Sequence, residues 1–310
     1  MDTMPQIRGL GYLRVQTQDL DRWRELTVEA LGFQDTTGPN PDGLYLRMDE
    51  RESRLIVLPG DRDRVVAVGW EVRDQFALAE VTRAVESSGT AVKSLSQAEC
   101  DERRVEAAIA FDDPTGTPLE VFFGPVLDHS PVRTKHAHRF VTGEQGMGHV
   151  VLPSTCPEDT VKFYTEVLGF LPRGAVRLGG PGATAAPPRR VRFMGVNERH
   201  HSLAVCPAPH GEPPGLVHLM VEVEEIDTVG RALDEVNRRG YSLSSTLGRH
   251  TNDKAISFYV RAPGGWDVEY GCDGLRVDET YYTAEEITQD SYWGHDWSGS
   301  EPLAAFSEQD

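Results

Sequence analysis

Cysteine is scarce in this 310-residue chain: Cys100, Cys156, Cys206 and Cys272, none of them at CxxC spacing. Without that spacing they read as reduced thiols of a cytoplasmic protein. Cys272 stands close to Glu269, and a packing role is expected for it. Positive charge is also short. Lys and Arg number 31 against 49 Asp and Glu, a net charge of -18. No basic surplus is available to neutralise phosphates, which argues against nucleic acid and anionic membranes as partners. No apolar run is long enough to span a bilayer. The opening stretch MDTMPQIRGLGYL lacks a basic region followed by an apolar one, so no signal peptide is expected.

What remains is ample material for two domains and a sizeable core. The segment IRGLGYLRVQ alternates like a strand. In TQDLDRWRELTVEALGF, Leu20, Trp23, Thr27 and Ala30-Leu31 recur at helical spacing, with Gly32 at the expected cap. LYLRMD, RLIVLPG and AVGWEV read as strands, followed by a helix around Phe76 to Glu86 capped by Gly89. VEAAIAFDDPTGTPLEVFFG reads as two strands and a turn.

The series then restarts. GMGHVVL repeats GLGYLRV, and VKFYTEVLGF repeats RELTVEALGF, at a constant offset: 149 − 12 = 137 and 169 − 32 = 137. Further on, Glu222 matches Glu71 and Gly240 matches Gly89, both offset by 151. Glu269 matches Glu120. This duplication predicts two domains of two strand–helix–strands modules each. The expected partition is 1–128, a linker over 129–144, and 145–310. The Gly/Pro-rich piece RGAVRLGGPGATAAPPRRVRF is expected to be a loop. The tail after Gly271 is acidic and aromatic. Its end is expected to be disordered, with Tyr292 to Asp296 packed back on the body.

One stretch concentrates chemistry: GRHTNDKAISFYVRAPGGWDVEYG, residues 248 to 271. Glu269 sits mid-strand, with His250 and Tyr259 upstream. Strand alternation can aim a carboxylate, an imidazole and a phenol at one face, where they can bind a metal and move protons. The whole string resembles the signature of the type I extradiol ring-cleavage dioxygenases: His250, Phe258-Tyr259, Pro263, Gly264 and Glu269 are all in place. The paired modules likewise resemble the vicinal oxygen chelate fold, an α+β architecture of four βαβββ modules in two duplicated domains.

The resemblance implies a set of roles. The iron ligands map onto His149, His218 and Glu269, each in a predicted strand flanked by aliphatic residues. Two imidazoles and a carboxylate leave three positions open on an octahedral ion, which suits Fe(II) and O2; Mn(II) is compatible with the same set. The matching positions in the first domain are Tyr12, Ala67 and Glu120, so that domain is expected to hold no metal. The catalytic histidine maps onto His201, as general acid, with His200 expected to face away across a strand. His250 and Tyr259 are implied to bind the diol oxygens. Val151, Phe193 and Asn252 occupy positions that line the substrate pocket in the family.

The implied reaction is extradiol cleavage of a catechol by Fe(II) and O2, in aromatic or steroid catabolism. Both biphenyl-2,3-diol enzymes and secosteroid-catechol enzymes are resembled, so the partners expected are a two-ring catechol and O2, in a homo-oligomer. The rival reading is another vicinal oxygen chelate activity, a glyoxalase-type isomerase or a small-molecule binding and resistance module. Such proteins generally lack the upstream His-Tyr pair.

Overall fold

The computed structural model describes residues 7–136, 139–177, 189–208 and 215–299. Apolar, β-branched segments build two sheets, one from each half of the chain. The first half contributes β1 (Ile7–Thr17), β2 (Gln34–Thr36), β3 (Leu44–Arg47), β4 (Leu55–Pro59), β5 (Arg64–Val72), β6 (Lys93–Ser94), β7 (Val105–Asp112) and β8 (Pro118–Pro125). They lie in the order β2-β3-β4-β1-β5-β8-β7-β6. The second half contributes β9 (His149–Ser154), β10 (Leu171–Arg177), β11 (Arg190–Gly195), β12 (Leu203–Pro207), β13 (His218–Glu222), β14 (Leu243–His250), β15 (Ile256–Arg261) and β16 (Asp267–Cys272). Two short strands, β17 (Glu285–Ile287) and β18 (Ser291–Trp293), extend that sheet at its edges, giving β17-β10-β11-β12-β9-β13-β16-β15-β14-β18. Each sheet is therefore two four-stranded modules joined through their first strands, the layout that the duplication predicts.

The register is duplicated too. Tyr12 pairs with Gly69, and Gly69 with Glu120. In the second half His149 pairs with Met220, and Met220 with Glu269. Alternation then sorts the side chains. Val150, Leu152, Leu219, Val221, Val268, Tyr270, Phe258 and Val260 turn into the main core. The intervening residues, among them His149, His218, Glu269 and Tyr259, turn to the concave face and line a cavity there.

Helices α1 (Leu20–Arg24), α2 (Gln75–Ser87), α3 (Gln97–Arg103), α4 (Pro157–Lys162) and α5 (Ile226–Arg238) complete the modules. Aromatic pairs bind the halves together: Trp23 lies 5.2 Å from Trp266, and Trp70 meets Phe170 edge-on at 4.9 Å. Phe140, in the segment expected as a linker, is buried and packs against Phe33 and Tyr270.

Two expectations need correction, and one helix is an addition. The first helix is not α-helical throughout. After Arg24 it widens into a π-helix over Glu25–Ala30, and the same happens after α4 over Phe163–Val167. The bonds Leu31 N to Leu26 O and Leu168 N to Phe163 O span five residues. The Gly/Pro-rich piece from Arg173 is not wholly a loop. Its two ends are β10 and β11, paired antiparallel from Leu171↔Gly195 to Arg177↔Arg190, because Val and Arg flank the glycines closely enough to pair. Its middle lies outside the described residues, as does the end of the tail. Helix α3, capped by a Ser96–Glu99 capping box, was not anticipated.

Candidate active site

His149 opens β9, His218 opens β13 and Glu269 sits in the middle of β16, so three adjacent strands converge three donor atoms. His149 Nε2 is 3.2 Å from His218 Nε2, and Glu269 Oε2 is 3.3 Å from the first and 3.2 Å from the second. Three donor atoms this close together can share one ion, and two imidazoles with a carboxylate are a donor set that suits a first-row divalent metal. The donor chemistry fits as well. Burial pushes the His149 imidazole down to about 4, so it offers a lone pair at neutral pH. Burial opposes charge on Glu269, but hydrogen bonds from His149, His218 and His250 outweigh it and hold the carboxyl well below its usual range.

Around this triangle stand the other expected residues. The His201 ring lies against His149, centroids 3.9 Å apart, and burial next to His149 lowers its pKa well below the ordinary value. His250 Nε2 is 2.8 Å from the Tyr259 hydroxyl and 3.5 Å from Glu269 Oε1. Burial and the Glu269 charge raise the Tyr259 phenol well above its usual value.

Val151 and Phe193 belong to an apolar cluster with Ala204 and Cys206, joined by Val176, Val191 and Val217. Asn252 lines the same cavity and leaves its buried Oδ1 without a partner. The cavity has a volume of about 560 Å³. One end is the donor triangle and the other is the apolar cluster.

His200 and His201 do not lie in a strand; they precede β12, in the turn after β11. Parity of sequence spacing therefore does not connect Phe193 to His201. Contact across the hairpin does, with ring centroids 4.8 Å apart.

Sequence reading missed several neighbours. Ser257 donates to Glu269 Oε1 at 2.6 Å, and its separation of two from Tyr259 in one strand was a usable signal. Asp290, His295 and Trp297 of the tail also line the cavity. The His295 ring lies 4.0 Å from that of His250, tilted by 54°, and Trp297 lies 4.7 Å from Tyr259. The aromatic richness of the tail pointed to packing, but not to where.

The equivalent place in the first half is filled differently. Glu120 accepts from the Tyr12 hydroxyl at 2.5 Å and from Arg103 at 2.6 and 2.8 Å, with Arg14 at 3.6 Å.

Comparison with known proteins identifies the family. The family described as Dihydroxybiphenyl dioxygenase BphC D1 matches residues 10–60, and the Glyoxalase/Bleomycin resistance protein/Dioxygenase superfamily matches residues 146–270. An iron-dependent extradiol dioxygenase of Rhodococcus jostii (strain RHA1) is 45% identical over 96% of this chain and 99% of its own length. The chain belongs to the extradiol dioxygenases of the vicinal oxygen chelate superfamily. A biphenyl-2,3-diol 1,2-dioxygenase of Paraburkholderia xenovorans (strain LB400) is 36% identical to this extradiol dioxygenase, covering 93% of it and 95% of the relative. Among solved structures, a halotolerant catechol dioxygenase called BphC superposes with a TM-score of 0.87 at 31% identity, covering 94% of this chain and 95% of the other.

Proposed function

We propose that this extradiol dioxygenase uses iron, held by His149, His218 and Glu269, to cleave a catechol that carries a second ring. The observation that carries this reading is a single cavity with three metal-donor atoms 3.2–3.3 Å apart at one end and an apolar wall at the other. The chemistry supplied by bound iron is neutralisation of the deprotonated diol and activation of O2 beside it.

The chain's own residues do the rest. Ser257 engages Glu269 Oε1 and leaves Oε2 for the metal. His250 and Tyr259 hydrogen-bond the diol oxygens and favour their ionised form. His201, lodged beside His149, is the acid–base group that serves the ring-opened product's oxygen. Val151, Phe193 and Val217 receive the second ring. His295 and Trp297 brace His250 and Tyr259 and exclude water. The four cysteines, none at CxxC spacing, suit a reducing compartment, and we place the enzyme in the cytoplasm.

The test is direct. Protein loaded anaerobically with Fe(II) is mixed with 2,3-dihydroxybiphenyl or with catechol, and air is admitted. A yellow ring-cleaved product is expected from both. Burying a second ring contributes about 1.5–3 kcal/mol, so kcat/KM for the two-ring substrate should be roughly 10–150-fold higher. Equal or better cleavage of catechol would overturn the substrate assignment. No cleavage of either would overturn the activity.

A further inference from the structure

Behind His201, on the side away from the metal donors, lies a second cavity of about 440 Å³ that shares Phe193 and Asn252 with the first and is lined by His200 and Tyr282. A chain of hydrogen bonds crosses the partition between the two cavities. Its direction can be worked out from one end.

The Tyr282 hydroxyl carries one hydrogen. It lies 2.5 Å from the backbone carbonyl oxygen of Arg173, which can only accept, so that hydrogen is committed. The same hydroxyl is 2.9 Å from His200 Nε2, and that bond therefore needs its hydrogen from the ring nitrogen. At the other edge of the ring, His200 Nδ1 is 3.0 Å from His201 Nδ1, too close for both to be protonated. A neutral His200 that donates from Nε2 has its lone pair on Nδ1. The hydrogen between the two rings is then on His201 Nδ1.

Two further observations agree. Asp253, whose carboxyl oxygen lies 3.8 Å from His201 Nδ1, can also accept from it. Both imidazoles are 3% exposed, and burial pushes His200 down to about 4, which keeps it neutral.

We infer that His200 and Tyr282 are positioning residues that hold His201 in its Nδ1–H tautomer, so that Nε2 meets the bound diol as a proton acceptor. The inference deepens the functional reading above and rests on His201 acting on the diol.

The experiment reads the tautomers directly. In metal-free protein labelled with ¹⁵N-histidine at neutral pH, two-bond ¹H–¹⁵N correlations should place the hydrogen on Nδ1 of His201 and on Nε2 of His200. His200→Phe removes the acceptor, and His201 should shift toward the Nε2–H form. His200→Asn keeps an oxygen near the position of Nδ1 and should preserve the wild-type tautomer. In the iron-loaded enzyme, His200→Phe should lower kcat about 10–100-fold, the usual cost of losing such a supporting partner, at unchanged KM and iron content. His200→Asn should restore most of the rate. Tyr282→Phe, a smaller change to the fold, should move both readouts in the same direction as His200→Phe. A hydrogen on Nε2 of His201 in the wild type would overturn the inference. So would equal loss of kcat in the Phe and Asn variants, which would mark His200 as structural only. Should no catechol be turned over, the functional reading fails, and the metal-free spectra still decide the tautomer.

Discussion

Val151 stands two residues past His149 in β9 and pairs with His218 across the ladder, so its side chain shares the concave face with both. It begins the apolar wall on which Phe193 and Val217 continue. Val151→Phe should fill the space of the second ring while leaving the donor triangle intact. The ratio of kcat/KM for 2,3-dihydroxybiphenyl over 3-methylcatechol should fall by roughly 10–150-fold, the equivalent of about 1.5–3 kcal/mol of ring burial. An unchanged ratio would mean that the second ring leaves the site by another route. At this scale the sequence was legible wherever a residue sits in a strand beside aliphatic neighbours, as His149, His218 and Glu269 do. It was not legible where chain-distant contacts decide. Asp290 reaches the cavity because β18 docks on β14 through Arg249↔Trp293 and His250↔Ser291. Tyr282 reaches His200 across 82 residues.

The strands that carry the donors tolerate little backbone change. Gly148 precedes His149 with φ +149, and a Cβ there would lie 1.8 Å from the Met220 carbonyl oxygen. Gly148→Ala must push β9 away from β13 and displace His149 from His218. Enforced strain of this kind costs about 1–3 kcal/mol. Lower stability in denaturant titration and weaker iron binding are expected together. Gly89, with φ +87 and nothing within 4 Å of its Cβ position, offers a control: Gly89→Ala should cost stability but spare iron. Undiminished iron affinity in Gly148→Ala would show that the two strands are not rigidly coupled. Strands and helices were legible from periodicity, and their order from the duplication. The π-helical turns were not, because Leu20, Trp23, Thr27 and Ala30 satisfy a helical stripe whether the backbone bond spans four residues or five. Nor were the two strands flanking the Gly/Pro stretch, since its composition reads as loop while its ends pair.

For the whole molecule, the two halves share a register but differ in what they place on it. Around Glu120 the first half gathers Arg103, Arg14 and Tyr12, where the second gathers imidazoles around Glu269. The first half holds further buried charge pairs, and acid should act on them. Burial opposes ionisation of Asp49, but the fully buried Arg54 guanidinium, 2.5 Å away, more than offsets it and lowers the Asp49 pKa. The folded value lies below the unfolded one of about 3.9, so the pair's contribution is complete above about pH 4 and is lost as pH falls through the folded value. Asp49→Asn, by stranding Arg54, should cost about 3–5 kcal/mol at neutral pH and flatten the stability curve below pH 4. A variant as acid-sensitive as the wild type would contradict this.

The asymmetry between the halves also bears most directly on the central claim, that one metal centre built from His149, His218 and Glu269 runs the chemistry. The measurement is iron content after anaerobic loading and desalting, in the wild type and in His218→Ala. About one iron per chain is predicted for the wild type and almost none for the variant, because two donors hold the ion poorly. Two irons per chain, or iron undiminished in His218→Ala, would contradict the account.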